Sequence, residues 1–145
     1  MKKVLIFLLF VLGVQIASAQ VQQVPKEFEG LWVQKQEARD SEGKVFAPPL
    51  TDYVMIKNYP DGISIKSKRV TEYYVSKNWH PGYVSEPETL YQNFTNVRFE
   101  DGKLYGCCYG RTFTFQLKTG VLHIDNKYGS LTPPCGIFYN ENDNW

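Results

Sequence analysis

The segment from Phe94 to Asn126 constrains this chain most, because it reads as four short strands joined by three two-residue turns. The turns are expected at Asp101-Gly102, Gly110-Arg111 and Thr119-Gly120, where glycine supplies the positive φ of a tight hairpin. With these turns, apolar side chains share one face and polar side chains share the other. A shift of one residue in any strand would destroy that division. The segment therefore predicts an antiparallel meander with one buried and one solvated face.

The predicted register can be written as pairs of facing residues. On the buried face the pairs are Phe99 with Leu104, Val97 with Gly106, Cys108 with Phe113, Leu104 with Leu117, Leu117 with Leu122, and Phe115 with Ile124. The solvated face carries Asn96, Arg98, Thr112, Thr114, Gln116, Lys118, His123 and Asp125. Gly106 faces inward among bulkier residues, which indicates either a local gap or a bend in its strand.

The rest of the chain also favours an all-β fold. Further strands are predicted at 28–38, 51–58, 62–68, 71–76, 89–100 and 135–139, with a hairpin turn at Tyr59-Pro60-Asp61-Gly62. Aromatic residues make up 15% of the chain, as is typical of β domains. About eight antiparallel strands with one apolar face must close into a barrel or pack as two sheets.

The N-terminus has the pattern of a signal peptide. Lys2 and Lys3 precede an apolar run from Val4 to Val14, and Ala17-Ser18-Ala19 is a small-x-small cleavage signal. The run is shorter than the roughly 20 residues that span a bilayer. We expect cleavage after Ala19, a flexible arm over 20–27 and a single domain over 28–145. The leader looks bacterial, which predicts a periplasmic or secreted protein that does not span the membrane.

The charge and the cysteine content limit the classes of partner, disulfide and metal site that this chain can have. The chain has 16 basic and 15 acidic residues, and two of the basic ones lie in the leader, so the mature net charge would be −1. This balance argues against nucleic acid or an anionic membrane as partner. Cys135 is expected to pair with Cys107 or Cys108 in an oxidising compartment, or all three are reduced and Cys108 is part of the core. A metal site or other cofactor is not expected, since there is no second cysteine pair and the two histidines lie far away in sequence.

The motif Glu29-Gly30-Leu31-Trp32 on the first strand resembles the Gly-x-Trp signature that opens lipocalins. The layout that follows, with a loop, a strand and an Asp-Gly hairpin, is similar to small secreted bacterial lipocalin-like proteins. The resemblance implies an antiparallel up-and-down meander that closes into a lipocalin-like barrel of about eight strands. It also implies that Trp32 plugs the closed end of that barrel.

The aromatic segment from Trp79 to Tyr91 begins in the longest irregular segment outside the first loop and extends past its end. At a barrel mouth it would gate a ligand site; alternatively, its aromatic side chains fold back on the barrel as a satellite cluster. Catalysis would need a nucleophile, base and orienter, or paired carboxylates, and no such set is found. The predicted function is a secreted, non-enzymatic lipocalin-like protein that binds a small apolar or aromatic ligand. The alternative is an interaction module with a filled core that docks a protein or glycan through exposed aromatics. The predicted ligand-binding residues are Tyr74, Trp79, His80, Tyr83 and Tyr91.

Overall fold

The computed structural model describes residues 21–76, 81–126 and 135–141. Within these ranges the regular structure consists of β-strands and one short 3₁₀ turn, Lys26–Phe28. The strands are β1 Gly30–Gln36, β2 Leu50–Tyr59, β3 Gly62–Thr71, β4 Tyr74–Val75, β5 Val84–Ser85, β6 Glu88–Asn93, β7 Thr95–Glu100, β8 Lys103–Cys108, β9 Arg111–Lys118, β10 Val121–Asn126 and β11 Gly136–Glu141. The all-β prediction is confirmed.

Nine of the strands in the described ranges form one antiparallel sheet in the order β6-β3-β2-β1-β11-β10-β9-β8-β7, and β4 pairs with β5 alone. The two edge strands, β6 and β7, are separated in sequence by Phe94 only. The Phe94 backbone N–H donates to the Ile65 carbonyl at 3.0 Å, on the strand that β6 leaves. The edges are therefore two halves of one bent strand, and the sheet is nearly closed into a barrel of the predicted up-and-down kind.

Two of the three predicted meander hairpins have the predicted register. Phe99 faces Leu104, and both Leu117–Leu122 and Phe115–Ile124 are paired as expected. The turn residues of both hairpins have positive φ, including the non-glycine residues at 101 and 119. Positive φ at both central residues is the type I′ geometry, whose twist matches that of the strands it joins.

The prediction for the middle hairpin is wrong by one turn position. The turn is Tyr109-Gly110, so Cys108 faces Arg111 and Phe113 faces Gly106. Tyr109 has φ 52° and Gly110 has φ 69°, which shows that glycine is the second turn residue here rather than the first. The pairing shifts by two residues, and the buried and solvated faces therefore stay as predicted.

The predicted Val97–Gly106 pair is replaced by a bulge. The register shifts between Thr95 and Arg98, and Asn96 has φ 49°. A bulge inserts an extra residue in one strand and bends it. Here it follows directly on Phe94, where the chain crosses from one half of the barrel wall to the other.

The hairpin around Tyr59-Pro60-Asp61-Gly62 is confirmed, with Tyr59 facing Gly62 and Ile56 facing Ile65. Strand β3 runs three residues further than predicted, to Thr71. The strand predicted over 71–76 is reduced to Tyr74–Val75, because the chain leaves the main sheet at Glu72, whose N–H donates to the Pro49 carbonyl at 2.9 Å. The remaining two residues pair with β5 instead.

Residues 24–28 cover one end of the barrel, which we call the closed end. Val24 and Phe28 are buried, and the Asn58 side chain holds the Val24 backbone through two 2.9 Å hydrogen bonds. Trp32 is 2% exposed, and its Nε1–H donates to the Phe28 carbonyl at 2.8 Å. The other end, which we call the loop end, carries segments 37–49, 72–76 and 81–87 and the Tyr109-Gly110 turn.

The apolar core fills the interior next to the closed end. A Cβ added at Gly106 would lie 3.2 Å from the Phe94 ring and 3.3 Å from Ile65, so the space beside this glycine is occupied. The Phe94 ring meets both Phe113 and Phe115 edge to face, each with 5.5 Å between ring centroids. Other fully buried members of this core are Val54, Ile56, Leu104, Leu122 and Phe138.

Candidate functional site

The inward-facing side chains change from apolar to polar toward the loop end. The register places Gln34 opposite Asp52, Asp52 opposite Arg69, and Ser67 opposite Gln92. Because alternate residues of a strand share a face, these side chains point the same way as Trp32, Val54 and Ile65. The set, which we call the polar layer, comprises Gln34, Gln36, Asp52, Ser67, Arg69 and Gln92.

An ion pair stands at the centre of the polar layer. Arg69 Nε and Nη2 each donate to one oxygen of Asp52 at 2.7 Å, and Gln36 Nε2 donates to Asp52 Oδ2 at 3.4 Å. The Asp52 side chain is 2% exposed and that of Arg69 is 23% exposed. A bidentate guanidinium–carboxylate pair is the strongest form of such a contact. Both carboxylate oxygens are therefore engaged, which suits a structural or orienting role better than that of a general base.

One polar atom beside this ion pair lacks a partner. Gln34 Oε1 is buried and accepts no hydrogen bond within the part of the chain that the structure describes. The Gln34 amide lies against the backbone of Gly136, where an added Cβ would be 2.7 Å from Gln34 Cδ. Leaving a buried acceptor unsatisfied costs about 1–3 kcal/mol, so this oxygen lowers the stability that the polar layer contributes.

We expect Gly136→Ala to lower the free energy of unfolding by about 2–4 kcal/mol, because the new methyl group meets Gln34 and the backbone is strained. Gly136 has φ 130°, a backbone conformation that residues with a Cβ atom rarely adopt. The measurement is urea unfolding followed by Trp fluorescence.

Gly120→Ala is the matched control for this substitution. Gly120 also has positive φ, 76°, but nothing lies within 4 Å of its added Cβ. This variant carries the backbone strain alone, of about 1 kcal/mol. An equal loss in both variants would refute the contact with Gln34, and the double variant Gly136→Ala/Gln34→Ala should recover the difference.

All three cysteines are free thiols in the structure. The expected disulfide to Cys135 is therefore not formed, and the structure agrees with the alternative prediction of three reduced cysteines. Cys108 is buried and Cys107 half-buried, which confirms the predicted inward and outward directions. Burial raises the pKa of the Cys108 thiol. Burial, with the Asp125 charge as a lesser cause, raises the pKa of Cys135. These two thiols are therefore protonated at neutral pH and poor nucleophiles.

Of the five predicted ligand-binding residues, Tyr74 lies in a cleft. The cleft has a volume of about 480 Å³, opens at the loop end, and is lined by Lys44, Val45, Tyr73, Tyr74 and Val75. The Tyr74 hydroxyl donates to the Val45 carbonyl at 3.2 Å, which ties the two walls together. Trp79 and His80 lie outside the described residues.

The other two predicted residues do not line this cleft. Tyr83 is 65% exposed, and its carbonyl accepts the Ser76 N–H at 2.8 Å in the small β4–β5 sheet. Tyr91 is 68% exposed and faces Lys68 on the outer surface of the main sheet. The structure thus separates the predicted aromatic group into a cleft residue, a loop-end residue and a wall residue.

Sequence reasoning missed one wall of the cleft. Lys44 and Val45 belong to the first loop, which is folded back by a bridge between Arg39 and Val45. The Asp40 carboxylate accepts backbone N–H groups of Glu42 and Lys44, each at 2.9 Å. Such an Asx-type turn is readable from an Asp before a Gly-containing loop, but its contact with Tyr74 is not.

The described ranges contain no group of three or more metal-ligating side chains. They also contain no helix with the length and apolarity to cross a bilayer. No protein-family model matches this chain, no curated protein matches its sequence, and no solved structure matches its fold.

Proposed function

We propose that this chain is a secreted, non-enzymatic, lipocalin-like barrel that binds a small apolar or aromatic ligand at its loop end. The observation that carries the proposal is the cleft of about 480 Å³, whose walls include Tyr73, Tyr74 and two valines. Ligand pockets are typically of about 300–1,000 Å³ and mostly apolar, with a few polar groups. The Gly-x-Trp motif, with Trp32 buried beside the N-terminal cover, supports the lipocalin-like reading.

The packing of the barrel favours a ligand near the loop end rather than deep inside. The closed-end half of the interior is occupied by Trp32, Phe113, Phe115 and other fully buried side chains. The cleft lies beyond the last pair of β2 and β3, which is Leu50 with Thr71. The Asp52–Arg69 pair lies two residues further along each strand, toward the closed end. A ligand with an apolar or aromatic body would suit the tyrosines and valines that line the cleft.

The polar groups of the described residues favour binding over catalysis. Both oxygens of Asp52 are held by Arg69, and the raised pKa values of Cys108 and Cys135 leave these thiols protonated. A catalytic nucleophile needs a base within hydrogen-bond reach and a group that orients that base. The partners of these thiols are the amides of Gln92 and Asn126, which are not bases.

We expect the mature protein to bind the neutral fluorescent probe N-phenyl-1-naphthylamine, and Tyr74→Ala to weaken that binding roughly tenfold through the lost aromatic contact. The measurement is a fluorescence titration at fixed protein concentration. Tyr139→Ala, which removes an exposed tyrosine outside the cleft, is the control and should bind as the parent does. Tyr74→Phe keeps the ring and should stay within twofold of the parent.

Two results would contradict the proposal. One is the absence of probe binding together with a bare mass in native mass spectrometry of protein purified from its secretory compartment. The other is equal weakening by Tyr74→Ala and Tyr139→Ala, which would place the probe outside the cleft. A mass released on denaturation would identify the ligand class directly.

A second candidate function is docking of a protein or glycan through exposed aromatics. The observation that favours it is that several tyrosines of the described residues are more than half exposed, namely Tyr73, Tyr83, Tyr91, Tyr109 and Tyr139. Tyrosine supplies large contact area at low entropic cost and is enriched in interfaces. A Tyr83→Ala variant distinguishes this second function from the first, because it should lose binding of the protein or glycan while its affinity for the fluorescent probe stays unchanged.

A further inference from the structure

On one half of the outer barrel wall, the outward-facing residues of the strands include basic and aromatic side chains and no acidic ones. It is formed by β1, β2, β3 and β6, which are neighbours in the sheet. The register shows which residues face outward on these strands. Four of them are lysines and three are tyrosines: Lys35, Lys57, Lys66, Lys68, Tyr53, Tyr59 and Tyr91. We call this surface the lysine–tyrosine face.

The opposite half of the wall has a different charge pattern. On β7 the Arg98 guanidinium pairs with Glu100 at 3.6 Å, and Asp125 faces outward on β10 beside the strand that carries Lys118. Its cations are therefore interspersed with carboxylates. The chain as a whole has a formal net charge of only +1, so the absence of acidic residues from the lysine–tyrosine face is a local feature.

Lysines and tyrosines alternate across this face in an ordered way. Tyr53, Lys68 and Tyr91 form one row across three strands, which lie about 4.8 Å apart. The Lys68 ammonium is 4.9 Å from the centroid of the Tyr53 ring, and the Lys57 ammonium is 5.3 Å from that of Tyr59. These cation–π contacts hold the ammonium groups close to the wall instead of leaving them extended in solvent.

Two shallow clefts join along this face. One of about 220 Å³ is lined by Met55, Lys57, Tyr59 and Lys66. The other, of about 400 Å³, shares Tyr59 and Lys66 and continues past Asp61 of the β2–β3 turn and Ser64 to Phe94. The two clefts are adjacent because they share two residues, and both have ammonium and hydroxyl groups on their walls, with one carboxylate, that of Asp61, at the turn end of the larger cleft.

We propose that the lysine–tyrosine face binds an acidic polysaccharide. The charge of the face is complementary to sulfate or carboxylate groups repeated along a chain. Ser64, Asn93 and the tyrosine hydroxyls supply hydrogen-bonding groups for sugar hydroxyls on the same surface. This site uses residues other than those of the loop-end cleft, so it does not rest on the proposed ligand-binding function.

The arrangement of the rings favours a polysaccharide over single-stranded nucleic acid. Proteins that bind single strands present open aromatic faces on which successive bases stack. Here ammonium groups lie over the Tyr53 and Tyr59 rings, which leaves Tyr91 as the exposed ring in the row. An anionic sugar needs cations and hydroxyl partners rather than a row of stacking platforms.

The test compares binding of dextran sulfate with that of neutral dextran of the same length, measured by fluorescence anisotropy with end-labelled polymers. We expect dextran sulfate alone to bind, and more weakly as salt is raised from 50 to 150 mM, because exposed charges are screened. Replacing three lysines, as Lys57→Gln/Lys66→Gln/Lys68→Gln, should weaken binding roughly tenfold, since each exposed charge contributes modestly. The corresponding Lys→Arg triple variant should retain binding.

The matched control removes three cations from the opposite wall, as Arg98→Gln/Lys103→Gln/Lys118→Gln, for the same change in net charge. It should stay within threefold of the parent, with unchanged thermal melting confirming that both triple variants are folded. Equal weakening by both triple variants would overturn the proposal in favour of general charge attraction. Tighter binding to a thymidine oligonucleotide, or to vesicles of phosphatidylglycerol, would overturn the polysaccharide as partner. Binding of neutral dextran, or of neither polymer, would overturn the site itself.

Discussion

Phe115→Ala should lower the free energy of unfolding by about 3–5 kcal/mol, which is a large share of the stability of a domain of this size. The Phe115 side chain is 0% exposed and faces Leu104 on one strand and Ile124 on the other. Its ring also meets Phe94 edge to face, with 5.5 Å between ring centroids. Truncation removes the buried area and leaves a cavity that strands on both sides cannot collapse to fill. Urea unfolding followed by far-UV circular dichroism measures the loss.

Phe46→Ala is the control for the Phe115 substitution, because it removes the same atoms from a side chain that is 50% exposed. Its cost should stay below about 1 kcal/mol, since little buried area is lost. Comparable losses in the two variants would mean that Phe115 is not part of a packed core. The filled closed-end half of the barrel would then have to be abandoned, and a deep ligand cavity would become the better account.

Asp52→Ala should destabilise the fold by about 2–4 kcal/mol, because it leaves the Arg69 guanidinium without its carboxylate. Asp52 accepts two hydrogen bonds from Arg69, both at 2.7 Å, and lies between β1 and β3 in the sheet. We place the effect below that of a fully buried pair, since the Arg69 side chain is 23% exposed and water can reach part of it. The measurement is the same urea titration at neutral pH.

A double-mutant cycle separates the ion pair from the loss of packing. Asp52→Leu/Arg69→Met replaces both charges with apolar groups, and such replacements of ion pairs are often neutral or stabilising. We expect the double variant to be more stable than either of its single variants, Asp52→Leu and Arg69→Met. Purely additive losses from the two single substitutions would show that the pair is not coupled, in conflict with its bidentate geometry.

Much of the fold is predictable because glycine turns and alternating polarity act at short range. The predicted turns at Asp101-Gly102 and Thr119-Gly120 are confirmed, and glycine occupies the second turn position in both. The prediction for the middle hairpin is wrong because it places Gly110 first in the turn, whereas the structure has Tyr109 first and Gly110 second, as in the other two hairpins. The prediction of which side chains face the interior stays correct, since the register differs by two residues and the side-chain period of a strand is two.

The candidate site was harder to predict, for two different reasons. The polar layer can be predicted from the sequence, because Asp52 lies on the same strand face as Val54 and Ile56, and Arg69 lies on the same face as Ile65. The cleft was not, since its walls come from segments 44–45 and 73–75, which meet only after the sheet has formed. A strand pattern records local alternation and carries no information on how two loops dock.

The pairing of β1 with β11 gives the barrel an uneven folding problem. The other pairings in the main sheet join strands that follow one another along the chain or have only β4 and β5 between them, whereas this one matches Leu31 with Glu141. Closing it therefore carries the largest loop-closure entropy of any pairing in the sheet, and contacts of such long range form slowly. The wall can grow one hairpin at a time, but its last seam has to wait until the most distant parts of the sequence meet.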